Sequence, residues 1–218
     1  MKILTYSTPL LNQNMYIVED KGHCLIIDPY YDETVGKLLQ NKIVDMMLVT
    51  HEHYDHISGV NQFKKYFGCK LLANAKCNYN LQKPTKNFSK YFEAYYEFQA
   101  DLKKPDFPFE SNYVCCADEI FEESIRFQWQ DNVLYLKQVP GHSEGGNFIF
   151  LNTSMLFSGD ILLDENVPAA KFPGGNPKAF AEITLPYINS LPSNLVVYPG
   201  HGESFILNDY YGYNDKKE

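Results

Sequence analysis

Six consecutive residues constrain this chain more than any other part of it: His51-Glu52-His53-Tyr54-Asp55-His56. Drawn at random from this composition, the pattern His-x-His-x-Asp-His arises on the order of once in four thousand chains of this length. At a strand end, residues i and i+2 point the same way, so His51 and His53 converge on one point. A turn after them aims Asp55 and His56 at a second point close by. Imidazole and carboxylate suit zinc, and also iron or manganese. Burying three histidines and an aspartate this close together without a cation is costly. Glu52 and Tyr54 alternate away from the ligands, so their side chains face elsewhere.

Three further turns have the same style. His142 lies in Gly141-His142-Ser143-Glu144-Gly145-Gly146, just after Pro140. Asp160 ends Ser158-Gly159-Asp160, and His201 lies in Pro199-Gly200-His201-Gly202. Each follows an apolar, strand-like run, and glycine lets the backbone turn sharply and approach a site closely. In a chain that already carries the first string, these read as ligands. His23, beginning a strand beside Cys24, reads as non-ligating. Ser143 is placed to act as a nucleophile, but local hydrogen bonding is the better reading of it. Asp28, before Pro29, is either a carboxylate supporting a metal ligand or a simple turn residue.

The chain has 218 residues, 44% of them hydrophobic and 21% charged, which fits an ordinary folded protein. No run approaches the roughly 18 apolar residues of a membrane helix. The start lacks the apolar core of a signal peptide. With 19 basic against 27 acidic residues, the net charge of −8 repels polyphosphate, so nucleic acid is not the expected partner. The five cysteines are odd in number and none has C-x-x-C spacing, which fits a reducing cytoplasm. The neighbours Cys115 and Cys116 are either a redox pair or small strand residues.

Short β-type runs alternate with helical patterns in both halves. Strands are expected at Ile3–Ser7, Met15–Glu19, Cys24–Asp28, Met46–Thr50 and Lys70–Ala73. Later ones fall at Arg126–Gln130, Val133–Gln138, Asn147–Leu151, Met155–Ser158 and Leu195–Tyr198. Helices are expected at Asp32–Asn41, Val60–Phe67 and from Asn176 to about Ser190, the last with an Asn cap and Pro177 at its first position. This pattern predicts two sheets with helices outside, in one domain over residues 1–218. Nine aromatic residues crowd into Phe88–Tyr113, several near helical spacing. The surrounding segment, about 82–113, is a core helix, a lid or pocket wall carrying Tyr91 and Tyr95, or a dimer face.

Taken together, the strings Thr50-His51-Glu52-His53-Tyr54-Asp55-His56, Gly141-His142-Ser143, Ser158-Gly159-Asp160 and Pro199-Gly200-His201-Gly202 resemble, in order, the metal motifs of the metallo-β-lactamase fold superfamily, and of its glyoxalase II-like (hydroxyacylglutathione hydrolase-like) branch. Ile26-Ile27-Asp28-Pro29, Asn87-Phe88-Ser89 and Phe172-Pro173-Gly174-Gly175-Asn176 are weaker likenesses to the same branch. The resemblance implies an α/β, four-layer αβ/βα sandwich with a dinuclear site at one edge. By that likeness His51, His53 and His142 hold the first zinc ion, Asp55, His56 and His201 the second, and Asp160 bridges them. Asp55 and His56 are the catalytic candidates. Two metals can share one hydroxide, whose pKa they lower towards neutrality, and one polarises the substrate carbonyl. Asp55 can pass a proton to the leaving atom. The implied activity is a zinc-dependent hydrolase cleaving a thioester or related ester.

Three departures bear on the substrate. Full-length glyoxalase II enzymes carry a C-terminal helical domain, whereas 17 residues follow His201 here. Where small members of the branch have Gly-Arg-Thr-Asp, this chain has Pro168-Ala169-Ala170-Lys171, with Lys171 a partial replacement for an anion-binding arginine. The aromatic block predicts a large apolar pocket, so an apolar acyl thioester fits as well as a glutathione thioester, including one on the phosphopantetheine arm of an acyl-carrier protein. The alternatives are a mononuclear iron sulfur dioxygenase and a nuclease or lactonase of the same fold.

Overall fold

The computed structural model describes residues 1–98, 109–163 and 174–210. Strands β1 (Lys2–Ser7), β2 (Asn14–Asp20) and β3 (His23–Ile27) form an antiparallel meander. The chain then crosses through α1 (Glu33–Leu39) to β4 (Ile43–Leu48), which runs parallel to β3. The short α2 (Tyr54–Ile57) and α3 (Val60–Phe67) lead to β5 (Lys70–Asn74), parallel to β4. Helices α4 (Ala75–Leu81) and α5 (Ser89–Glu97) precede β6 (Glu119–Phe121), parallel to β5. The second sheet begins with the antiparallel strands β7 (Ser124–Trp129), β8 (Asn132–Gln138), β9 (Asn147–Leu151) and β10 (Met155–Gly159). After α6 (Pro177–Ala179) and α7 (Leu185–Ser190), β11 (Val196–Pro199) pairs parallel to β10, and β12 (Phe205–Ile206) closes the edge.

Local chemistry explains the helix starts. The Asp32 carboxylate accepts from the Val35 N–H at 2.9 Å, and the Asn74 side chain from the Cys77 N–H at 2.7 Å. Asn176 caps the Ala179 N–H at 3.0 Å, with Pro177 next in line. The single helix expected from Asn176 to Ser190 is interrupted, because Phe180–Thr184 winds as a π-type turn between α6 and α7. Pro186 has no N–H to return to the Glu182 carbonyl, so the helical register slips there.

Strand alternation sorts the apolar side chains into layers. On β2, Met15 and Ile17 join Val35, Leu39, Phe63 and Phe92 in a cluster between the first sheet and its helices. Tyr16 and Val18 face the other way, meeting Leu134, Leu136, Ile149 and Phe157 of the second sheet. A third cluster places Phe148, Phe150 and Leu156 against Ile188 of α7. The order helix, sheet, sheet, helix is the expected four-layer sandwich.

The connections put the turns of interest at one edge. Parallel β3 and β4 end together, which delivers Asp28 beside Thr50 and His51. Parallel β10 and β11 likewise deliver Asp160 beside His201. The Asn147 N–H, at the start of β9, donates to the Thr50 carbonyl at 2.7 Å and joins the two sheets at that edge. His23 lies at the opposite end of β4, where its Nδ1 meets Asp45 at 2.9 Å, and the Trp129 indole donates to the same carboxylate. The five cysteines form no disulfide: Cys115 is buried and Cys116 exposed. No helix among the described residues is long and apolar enough to cross a membrane.

Candidate metal centre

Strand β4 ends at Leu48, and three residues later the chain presents His51 and His53 to one point. His51 Nε2 lies 3.0 Å from His53 Nδ1, and His142 Nε2 lies 2.9 Å from the same His53 atom. Ligands at about 2.0–2.1 Å around a tetrahedral ion stand roughly 3.4 Å apart, so three ring nitrogens this close suit one ion. A second group gathers where α2 begins. Asp55 Oδ2 is 3.5 Å from both His56 Nε2 and His201 Nε2. Asp160 lies between the groups, its Oδ2 at 3.6 Å from His142 Nε2 and 3.5 Å from His201 Nε2. All seven residues named from the sequence therefore converge, His201 being the most exposed of them.

The donor atoms are left over for a cation. His56 Nε2 and Asp160 Oδ1 are buried and make no hydrogen bond with any described residue. Buried polar atoms are rarely left so. The opposite ring nitrogens are occupied in a way that fixes tautomers. His56 Nδ1 donates to Asp28 Oδ2 at 2.8 Å. The Thr50 hydroxyl donates to the same oxygen at 2.7 Å, so its lone pair faces His51 Nδ1 at 3.0 Å and accepts that ring's proton. His201 Nδ1 donates to the Leu11 carbonyl at 3.0 Å. In each case it is Nε2 that turns towards the cluster, the arrangement a metal ligand needs once any proton on it is displaced.

The protein's own charges divide the site in two. His51 is held well below the usual imidazole pKa by burial and by the facing rings of His56, His53 and His142. At His56 burial pulls the same way, but Asp55, Asp160 and Asp28 outweigh it and push the pKa well above its ordinary value. Burial of His201 is likewise outweighed by Asp160 and Asp55, which raise it to about 10. Burial opposes ionisation of Asp160 as well, yet His201 and His56 hold it well below the carboxylate range. His51 is thus a neutral imidazole, while His56, His201 and Asp160 form a mixed cluster of imidazolium and carboxylate.

Glycine is required at two positions here. Gly159 has φ +53° and no room beside Thr50, while a Cβ on Gly200 would collide with Asp160 Oδ1 and His56.

This combination of fold and ligand order has a match among known families. Residues 8–201 fit the model of the metallo-beta-lactamase superfamily. The chain belongs to that superfamily. A probable metallo-hydrolase of Streptococcus pyogenes serotype M6 is 25% identical over 212 residues, covering 95% of this chain and 86% of its own. The hydroxyacylglutathione hydrolase of Francisella tularensis subsp. novicida is 29% identical over 202 residues, covering 88% of this chain. This superfamily member spans 63% of that enzyme's length. The crystal structure of the BLEG-1 B3 metallo-beta-lactamase superposes with a TM-score of 0.76 at 22% identity, covering 95% of each chain. The His/Asp cluster of this superfamily member has the donor set of a divalent metal site.

Around the cluster the sequence reading is refined. Asp28 supports two ligands, one directly and one through Thr50. Ser143 is a hydrogen-bonding residue: its hydroxyl donates to Glu52 Oε2 at 3.0 Å. Glu52 does face away from the cluster, but into the protein, where Asn80 Nδ2 and the Gly145 N–H also donate to it. It braces the turn that carries His142. Sequence reasoning missed Thr50, Glu52, Asn80 and Leu11 as supporting residues, because nothing local marks a carboxylate or carbonyl as the far end of a long-range bond.

The aromatic block divides. Phe92 and Tyr96 of α5, with Phe109 and Tyr113, pack into the core, while Tyr91 is half-exposed. Phe88 and Tyr95 lie on the side of the cluster. The Phe88 ring centroid is 6.1 Å from that of His53, and burial together with the charges of Asp55 and Asp160 raises the Tyr95 pKa. The core-helix reading holds for Phe92 and Tyr96, while Phe88 and Tyr95 lie towards the cluster. Lys171 and residues 99–108 of the expected lid lie outside the described residues.

Proposed function

We propose that this protein is a dizinc hydrolase that cleaves a thioester or related ester. The observation that carries the proposal is the position of Asp160 Oδ2, within 3.6 Å of a histidine from each ligand group. A carboxylate so placed suits a bridge between two ions. His51, His53 and His142 would hold one ion, and Asp55, His56 and His201 the other, with iron or manganese as chemically acceptable substitutes. Two divalent ions, when bound, supply Lewis acidity and an activated water near neutral pH.

The remaining work falls to the chain. Thr50, Asp28 and the Leu11 carbonyl keep His51, His56 and His201 in the tautomer that offers Nε2. Asp55 belongs to the ligand group opposite His51, His53 and His142, and its second carboxylate oxygen can carry a proton to the leaving sulfur or oxygen. Burial of the cluster strengthens each of these interactions. Phe88 and Tyr95 exclude water from the approach above His53. The leaving thiol belongs to a small molecule or to the phosphopantetheine arm of a carrier protein. The similarity to hydroxyacylglutathione hydrolases supports the thioester reading, as does the match of all four metal strings to that branch. A soluble cytoplasmic setting is consistent with the unpaired cysteines.

The test is metal analysis of protein purified without chelator, combined with turnover of a thioester panel. Two zinc ions per chain, with hydrolysis lost in His53→Ala, is the expected result. One iron per chain, oxygen uptake and no hydrolysis would overturn the proposal.

A further inference from the structure

Phe88 has φ +68° and ψ −3°. A bulky side chain in the left-handed region is a genuine outlier. Such strain persists only where the surroundings over-determine it, and it clusters at functional sites. The surroundings here do over-determine it. Asn87, fully buried, donates through Nδ2 to the carbonyls of Leu81 at 3.0 Å and Tyr113 at 2.8 Å, and its Oδ1 accepts from the Ser89 N–H at 3.0 Å. Ser89 Oγ adds a bond to the Tyr113 carbonyl. Asn87 and Ser89 are pinned, and Phe88 between them is held at the margin of the core cluster, partly buried.

The strain has a visible result. The Phe88 ring is brought to 6.1 Å from His53, and it stays only partly buried. Tyr95 meets it edge-on at 5.5 Å, and Tyr91 at 6.2 Å extends the surface outward along α5. Phe92, one turn away on the same helix, is fully buried in the core. The fold therefore buries Phe92 completely and leaves one side of Phe88 as an apolar surface beside the first ligand group, its other side packed on the core.

We propose that Phe88, backed by Tyr95 and Tyr91, is the specificity-determining wall for the acyl half of the substrate, and that this enzyme prefers an apolar acyl group. The inference rests on the hydrolase reading above. A carbonyl held near His51, His53 and His142 has its acyl chain along the Phe88 ring, and its leaving group towards Asp55 and His201. Each methylene buried there raises kcat/KM by up to about fourfold.

The experiment compares acetyl, butyryl, hexanoyl and octanoyl thioesters of N-acetylcysteamine on wild type, Phe88→Gly and Phe92→Leu. The expected result is a rise in kcat/KM with chain length in wild type, carried by KM. Phe88→Gly flattens that rise with metal content unchanged and a smaller loss of Tm than Phe92→Leu, because relief of the left-handed strain offsets part of the packing lost. Phe92→Leu keeps the rise and lowers Tm. Lengthening the thiol instead, with an acetyl group fixed, shows no dependence on Phe88. A separate arm measures Tm of the zinc-loaded proteins with acetate or octanoate. Octanoate is expected to raise Tm more than acetate in wild type and not in Phe88→Gly. If no thioester turns over but this difference is seen, the hydrolase reading falls and the wall stands. Equal chain-length slopes and equal octanoate shifts in wild type and Phe88→Gly overturn the proposal, as does a Tm loss in Phe88→Gly matching that of Phe92→Leu.

Discussion

Asp28 Oδ2 stands 2.8 Å from His56 Nδ1 and, 2.7 Å away on its other side, accepts the Thr50 hydroxyl that in turn faces His51. One buried carboxylate oxygen therefore orients a ligand in each metal group. Asp28→Ala removes both supports and leaves His56 Nδ1 without its acceptor. Loss of such an outer partner typically costs 10–100-fold in metal affinity. Competition with a zinc chelator should show weakening of that size, with the far-ultraviolet circular dichroism unchanged. Unaltered affinity would mean that the ligands hold themselves.

Glu52 is a buried carboxylate that accepts from Asn80, Ser143 and the Gly145 N–H. Hydrogen bonds to a charged group are worth about 1.5–3 kcal/mol each. Removing the acceptor leaves the Ser143 hydroxyl and the Gly145 N–H without it, while Asn80 keeps only its longer bond to Glu144 at 3.3 Å. Glu52→Ala is expected to lower unfolding free energy by about 3 kcal/mol in urea titration. Glu52→Gln should cost less, because the Ser143 hydroxyl can rotate to accept from the new amide. Equal costs for the two would show that shape, and not hydrogen bonding, is what Glu52 supplies.

Metal loading should release protons, and the electrostatics give the sign. His56 and His201 are raised by the facing carboxylates, His201 to about 10, so both carry protons at neutral pH until a cation displaces them. His51 is held neutral and has no proton to lose at Nε2. Affinity at the Asp55/His56/His201 group should therefore fall as pH falls, by about tenfold per unit for each proton displaced. Calorimetric titration of stripped protein with zinc, in two buffers of different ionisation enthalpy, counts the protons. Heats independent of buffer would contradict this assignment.

A methyl group on Gly200 would meet Asp160 Oδ1 and the His56 ring at once. Gly200→Ala is thus expected to push the Asp160 carboxylate aside and lower the zinc bound per chain, read by mass spectrometry on folded protein. A cysteine or serine there should fail similarly, since the collision is with Cβ itself. Full zinc occupancy in Gly200→Ala would show that the turn can shift to make room.

The sequence alone determined a good deal of this. His51 and His53 converge because a strand end alternates its side chains, and Asp55 and His56 follow on the next turn; both rules are local. The glycine-flanked turns at His142, Asp160 and His201 were visible for the same reason, and so were two sheets with helices outside, through strand alternation and helix caps; the four-layer order came from the family resemblance. What only the tertiary structure decided is which distant groups meet. The Asn14 side chain donates to the Pro199 and Gly202 carbonyls, and the Leu11 carbonyl fixes the His201 ring across nearly the whole chain. Asp28 could have been a turn residue until β3 and β4 set it against Thr50 and His56. The aromatic block could have been core or wall, and the fold buries Phe92 in the core while Asn87 and Ser89 hold Phe88 partly buried beside His53. Side-chain periodicity is written in neighbouring residues. Partnership across the fold is set by burial, which compels each polar group to find whichever partner the packing brings near.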